Sequence, residues 1–121
     1  MKTQIHKITI LSLLLFVCSM SVIIAQDKTA SSTAEIKIKT SAQCEECKSR
    51  IEKAVNKLDG IEAADLDVES KVLTVTYQTD QTDPDEIRLA VSRVGYDADD
   101  VPANERAYKK LPKCCQKGGH E

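Results

Sequence analysis

One helical spacing of apolar residues occurs twice in this chain, each time beside stretches that alternate like strands, and this repetition restricts the folds open to it. Ile51, Ala54, Val55 and Leu58 fall at i, i+3, i+4 and i+7, so they share one helical face. Ile87, Ala90, Val91 and Val94 repeat that spacing. Ahead of the first helix, Ile36 and Ile38 alternate with Lys37 and Lys39, as in a half-buried strand. Between the helices, Ala64, Leu66 and Val68 alternate with acids, and Leu73, Val75 and Tyr77 alternate with Val72, Thr74 and Thr76. Glu69-Ser70-Lys71 reads as the turn joining these two strands.

Punctuation supports the same division. The first helix is expected over Cys44 to Leu58, with Gly60 as its C-terminal stop. The second opens on Asp83 as N-cap, Pro84 at N1 and Glu86 at N3, and stops at Gly95. Tyr96 to Val101 is expected to form a short, acidic fourth strand. The order β-α-β-β-α-β predicts an α+β, ferredoxin-like sandwich over residues 35–101, a four-stranded antiparallel sheet with both helices on one face. The chain has no Trp and a single Phe, Phe16, outside that segment, so the core must be aliphatic.

The two ends differ from this middle. Residues 1–25 begin with Lys2, His6 and Lys7, continue with an uncharged apolar run from Ile8 to Ile24, and end on Ala25. This is the layout of an export signal cleaved after Ala25, which implies a periplasmic or secreted protein. The alternative is a retained membrane anchor, because the run approaches the ~20 residues that span a bilayer. Residues 26–34 read as a polar linker, and residues 102–121 as a Cys/His-containing tail with one or two helical turns near Asn104 to Lys110. The net charge of −2 becomes −4 once Lys2 and Lys7 are removed with the signal. No basic cluster with interleaved aromatics occurs, which argues against nucleic acid as a partner.

The chemistry lies in the cysteines. Apart from Cys18 in the signal, they are Cys44, Cys47, Cys114 and Cys115. Pairs separated by two residues and by none close no long loop, so neither is a structural staple. Cys44 and Cys47 stand at a loop-to-helix junction, where unpaired first-turn N–H groups favour thiolates. Two converging thiolates suit Cu(I) or Hg(II), whereas Zn(II) or Cd(II) wants further ligands. Glu45 and Glu46 oppose ionisation of the thiols and also offer oxygen ligands. A dithiol–disulfide exchange protein is the competing reading of Cys-x-x-Cys. Residues 35–101 are too short for the usual fold of that class, and neither Pro84 nor Pro102 is placed opposite the motif. No Ser/His/Asp constellation or phosphate loop is found, so no enzyme activity is expected.

The segment Ile36 to Val101 resembles the heavy-metal-associated domain family, which includes copper chaperones, amino-terminal modules of metal-pumping ATPases and the periplasmic mercury-binding protein. The resemblance rests on Cys44 and Cys47 after the first strand, Leu58-Asp59-Gly60-Ile61 after the first helix, and Val94-Gly95-Tyr96-Asp97-Ala98 after the second. It implies that Cys44 and Cys47 bind the metal and that Tyr96 lies beside the site. It further implies a soft-metal carrier, Cu(I) foremost, whose partners are a metal-transporting membrane protein or another thiol-bearing carrier. A mercury or zinc/cadmium scavenger is the alternative within that class. Ser41-Ala42-Gln43 departs from the family's usual Gly-Met-Thr or Gly-Met-Asp, and Ala42 leaves less apolar support under the loop.

In the tail, Cys114, Cys115 and His120 are soft or borderline ligands. Two expectations stand for them. One is a disordered tail whose thiols oxidise or pair between molecules. The other is a second metal site, or extra ligands for the first. With a full fourth strand the tail would begin at the opposite pole from Cys44 and have to double back along the sheet.

Overall fold

The computed structural model describes residues 32–119. The expected signal, most of the linker, His6 and His120 lie outside the described residues. Among the described residues, no helix is long and apolar enough to cross a membrane.

The elements run β1 (Thr33–Lys39), α1 (Glu45–Val55), β2 (Ile61–Asp67), β3 (Val72–Gln78), α2 (Pro84–Arg93), α3 (Glu105–Lys110), and a 3-10 turn over Lys113–Cys115. The sheet has the order β1-β3-β2, with β3 antiparallel to both neighbours. Leu73 on β3 stands opposite Ile38 on β1 and Leu66 on β2, and all three side chains are fully buried. Period-two alternation thus turns one face of the sheet inward. Ile51 and Val55 of α1 and Ile87, Ala90 and Val91 of α2 complete the core on that face. Asp83 caps α2 by accepting from the N–H groups of Asp85 (2.9 Å) and Glu86 (3.0 Å), which satisfies two otherwise orphaned donors.

The end of the first helix differs from expectation. α1 stops at Val55 with Asn56 as its C-cap, so Leu58 lies beyond the helix. Gly60 therefore serves the turn into β2 rather than the helix stop. Its φ is +81°, its carbonyl accepts from the Gln78 N–H (2.8 Å), and an added Cβ would lie 2.6 Å from Gln81 Cβ.

The larger correction concerns the fourth strand. Among the described residues the sheet has three strands, and Tyr96–Val101 contributes only single bridges, Thr40 to Ala98 and Ala98 to Val101. The cause is the aspartates. Asp99 takes φ +51°, a left-handed conformation that Asp tolerates better than most residues. Its N–H donates to the Lys39 carbonyl (2.8 Å), while its carboxylate accepts the Lys39 N–H (2.9 Å). A side chain thereby occupies a donor that a continuing strand would have used. Ala98 and Val101 exchange backbone hydrogen bonds across the turn, 2.9 Å each way. The chain reverses at once, and Asp97 accepts the Ala103 N–H (2.8 Å) on the way back.

This reversal keeps the rest of the chain at the cysteine pole. α3, capped by Asn104 accepting from the Ala107 N–H (3.0 Å), packs directly on Gly95. Leu111 and Cys115 enter the core behind it. Residues 102–119 are thus folded, and the expectation of a disordered tail does not hold for them.

Gly95 combines φ +101° with a backbone approach so close that a Cβ would meet the Tyr108 nitrogen at 2.9 Å. Gly95→Ala is expected to lower stability by more than ~1 kcal/mol, since both conformation and contact oppose the methyl group. Urea denaturation checks this; an unchanged midpoint would contradict the packing described.

Candidate metal centre

The loop Thr40–Cys44, the β2–β3 turn and the Gly95–Asp99 segment meet at one end of the sheet. The Thr40 N–H and hydroxyl both donate to the Lys71 carbonyl at 2.9 Å. The Ser41 hydroxyl accepts the Asp97 N–H (2.9 Å), and the Thr40 hydroxyl accepts the Ala42 N–H (3.3 Å). Ala42 is fully buried. Polar ties from Thr40 and Ser41 therefore fasten a loop that has little apolar fill of its own.

Cys44 is the N-cap residue of α1, extended at φ −158°, and Cys47 lies in its first turn. Their sulfurs are 3.3 Å apart. That is far beyond the ~2.05 Å of a disulfide, so both are thiols. Cys47 is fully buried and Cys44 half-buried. The pair is thus less open than two exposed thiolates would be.

The tail supplies a third sulfur. Cys115 Sγ lies 3.9 Å from Cys44 Sγ, and the sulfurs of Cys44, Cys47 and Cys115 all fall within 4.8 Å of one another. Cys114 turns outward, with its thiol 3.6 Å from the Glu46 carboxylate and 3.9 Å from Cys115 Sγ. Glu46, Cys114 and Cys115 form a second, mixed oxygen–sulfur group on the outer side. Glu46 is also engaged by Arg50 at 2.9 Å, and that guanidinium holds its carboxyl below the ordinary range. The tail is clipped in place by Lys117, whose ammonium pairs with Asp97 at 2.6 Å and whose N–H donates to the Tyr108 hydroxyl at 3.1 Å.

Tyr96 is fully buried, rather than a half-exposed turn aromatic. Its hydroxyl has no hydrogen-bond partner among the described residues, and it lies near Cys47 and Cys115. Burial, followed by those two sulfurs, pushes the phenol far above its ordinary value, so it remains a donor. The three thiols differ. Burial works against ionisation of Cys47, but the Gln43 backbone, the Tyr96 hydroxyl and the Cys115 and Cys44 thiols outweigh it and hold Cys47 low. Burial dominates at Cys44 and raises its thiol. At Cys115 burial, reinforced by Cys47, raises the thiol to about 12.

Sequence reasoning located Cys44, Cys47 and Tyr96, which the fold brings together. It offered Cys114, Cys115 and His120 as a second metal site or as extra ligands for the first. The fold instead separates an inward Cys115 from an outward Cys114, and His120 lies outside the described residues. The available signal was Leu111, an apolar anchor after α3 that pulls the following turn into the core.

Helices packed on one face of a small antiparallel sheet, with thiols at the loop before α1, define a class of compact thiol-bearing modules. The profile of the heavy-metal-associated domain matches residues 38–97, and the domain of this chain belongs to that family. A copper-exporting P-type ATPase of Staphylococcus aureus is 38% identical over 69 residues; the match covers 57% of this chain and 8% of the ATPase. The structure of a CopZ metallochaperone is 27% identical, with a TM-score of 0.53, over 54% of this chain and 98% of that one. The amino-terminal domain of a potential copper-translocating P-type ATPase from Bacillus subtilis, solved in the Cu(I)-loaded state, is 26% identical with a TM-score of 0.54, over 56% and 86%. Oxidized MerP from Ralstonia metallidurans shares the fold at 22% identity and a TM-score of 0.54, over 55% and 94%.

Carbon-13 NMR titration of the cysteine Cβ signals is expected to show Cys47 ionising first and Cys115 last. The reverse order would contradict the donor arrangement around Cys47. Tyr96→Phe removes a buried hydroxyl that lacks a full partner, so the metal-free variant should be no less stable than the parent and gain up to ~1–3 kcal/mol. The same variant should raise the Cys47 thiol. A clear loss of stability would show that the hydroxyl is satisfied.

Proposed function

We propose that this protein is an exported carrier of a soft metal ion, Cu(I) foremost, held at Cys44 and Cys47 and passed on by ligand exchange. The observation that carries this reading is the pair of unbonded sulfurs 3.3 Å apart at the head of α1. Thiolates are soft ligands, and Cu(I) is a soft ion content with few of them. The names of the relatives point the same way: a metallochaperone, copper-exporting ATPases and a Cu(I)-loaded domain. The chain spans only 8% of the length of the ATPases it matches, and only the carrier role is proposed here. Export rests on the residues 1–25 pattern, with its basic start, apolar run and Ala25.

Transfer follows from unequal exposure. Half-buried Cys44 marks the open side from which an incoming thiolate approaches the ion, while buried Cys47 retains it until a second bond has formed. Metal–sulfur bonds are exchanged one for one, and the ion never enters water. A metal-transporting membrane protein or another thiol-bearing carrier fits as the partner.

Binding must displace protons, because Cys44 titrates above the ordinary thiol value. Apparent Cu(I) affinity should therefore climb as pH rises through the neutral range. Replacing Cys44 and Cys47 together by Ser, with the tail intact, should abolish tight binding in a Cu(I) competition assay. Unchanged affinity in that variant would refute the proposal.

A further inference from the structure

The position of Cys115 bears on how the ion is held, and the inference drawn from it rests on the metal-carrier reading above. We propose that Cys115 is the third ligand to the same ion, so that this protein offers a three-sulfur site where two sulfurs come from α1 and one from the folded tail.

Three observations carry it. The first is distance. A planar three-sulfur site with metal–sulfur bonds of ~2.3 Å has edges of about 4.0 Å, whereas a linear two-sulfur site needs its sulfurs about 4.6 Å apart. Cys44 and Cys115 stand at 3.9 Å, and Cys44 and Cys47 at 3.3 Å. The Cys44–Cys115 edge matches the triangle, the third edge lies within 4.8 Å, and the α1 pair at 3.3 Å is nearer the triangle's edge than the linear span. The second is that Cys115 is 1% exposed, buried against the other two and inside the core, whereas its neighbour Cys114 faces Glu46. The sequence carries two adjacent cysteines, and the fold turns one toward the pair.

The third is the Tyr96 hydroxyl. Its oxygen is buried with no hydrogen-bond partner among the described residues, and Cys47 and Cys115 lie near it. A buried donor left unsatisfied is costly, and thiolates are strong acceptors for it. Metal-bound sulfurs at those two positions would satisfy it.

A third ligand also shapes release. Cys115 sits on a three-residue 3-10 turn, while Cys44 and Cys47 are fixed by α1 and its loop. An incoming thiol gives up its proton and forms a metal–sulfur bond as the bond to Cys115 breaks, and Cys115 takes up a proton. Charge and coordination number are conserved, and the tail is the element that yields.

X-ray absorption on the Cu(I)-loaded full chain tests this. The parent should show a shell of three sulfurs. Cys114→Ser should leave that shell unchanged. Cys115→Ser should reduce it to two sulfurs at shorter distance and weaken Cu(I) at least about tenfold, the lower end of what losing even a supporting partner costs a metal site. A two-sulfur shell in the parent would overturn the third ligand and leave the carrier reading standing. So would a third sulfur that survives in Cys115→Ser and vanishes in Cys114→Ser. Absence of any Cu(I) bound through sulfur would overturn both. The parent spectrum decides the matter even should the Cys115→Ser variant fold poorly.

Discussion

The exchange of hydrogen bonds between Asp99 and Lys39 settles where residues 100–119 go. A fourth strand running the length of β1 would carry the chain to the far pole. Asp99 instead closes both polar groups of Lys39, one with its amide and one with its carboxylate, and turns the backbone through a left-handed conformation. Arg88 braces the same carboxylate at 2.9 Å, so α2 supports the turn as well. α3 can then lie on Gly95, Leu111 can reach the core, and Cys115 arrives beside the α1 thiols. A sheet shortened by one strand is the condition for a site with a covering tail.

The electrostatics of that site follow from burial opposed by donors. Three thiols share a space from which water is largely excluded, which disfavours charge at each of them. Only Cys47 collects enough donors to reverse that effect, from the Gln43 backbone, Tyr96 and its two sulfur neighbours. Cys44 and Cys115 hold their protons more tightly than ordinary thiols, so a metal ion bound there would displace them. Outside the thiols, Arg50 is paired with Glu46 at 2.9 Å, the carboxylate that the Cys114 thiol also approaches.

The legible part of the fold was the part governed by periodicity and punctuation. The paired apolar stripes, the alternation in β3 and the Asp83-Pro84 start each express a local rule, and each appears in the structure. The fourth strand was not legible, because Tyr96 to Val101 alternates well enough to pair, and only the side-chain chemistry of Asp97 and Asp99 diverts it. Gly60 looked like a helix stop, while its requirement is a tertiary contact with Gln81, which spacing does not display. At the site, Cys44 and Cys47 were legible because a fixed short spacing at a helix start places them together. Cys115 was ambiguous because its position depends on a turn sixteen residues earlier and on the apolar anchor Leu111. Ser41 went unnoticed as a support, since its role is a hydrogen bond to a residue distant in sequence.

The central claim is that the head of α1 and the tail close on one ion. Hydrogen–deuterium exchange of the full chain, with and without Cu(I) under reducing conditions, tests it directly. The account predicts slower exchange on metal addition at two separate places, the backbone around Cys44 to Lys48 and the turn around Lys113 to Gln116. Slowing confined to the first, with the tail exchanging as before, would contradict it.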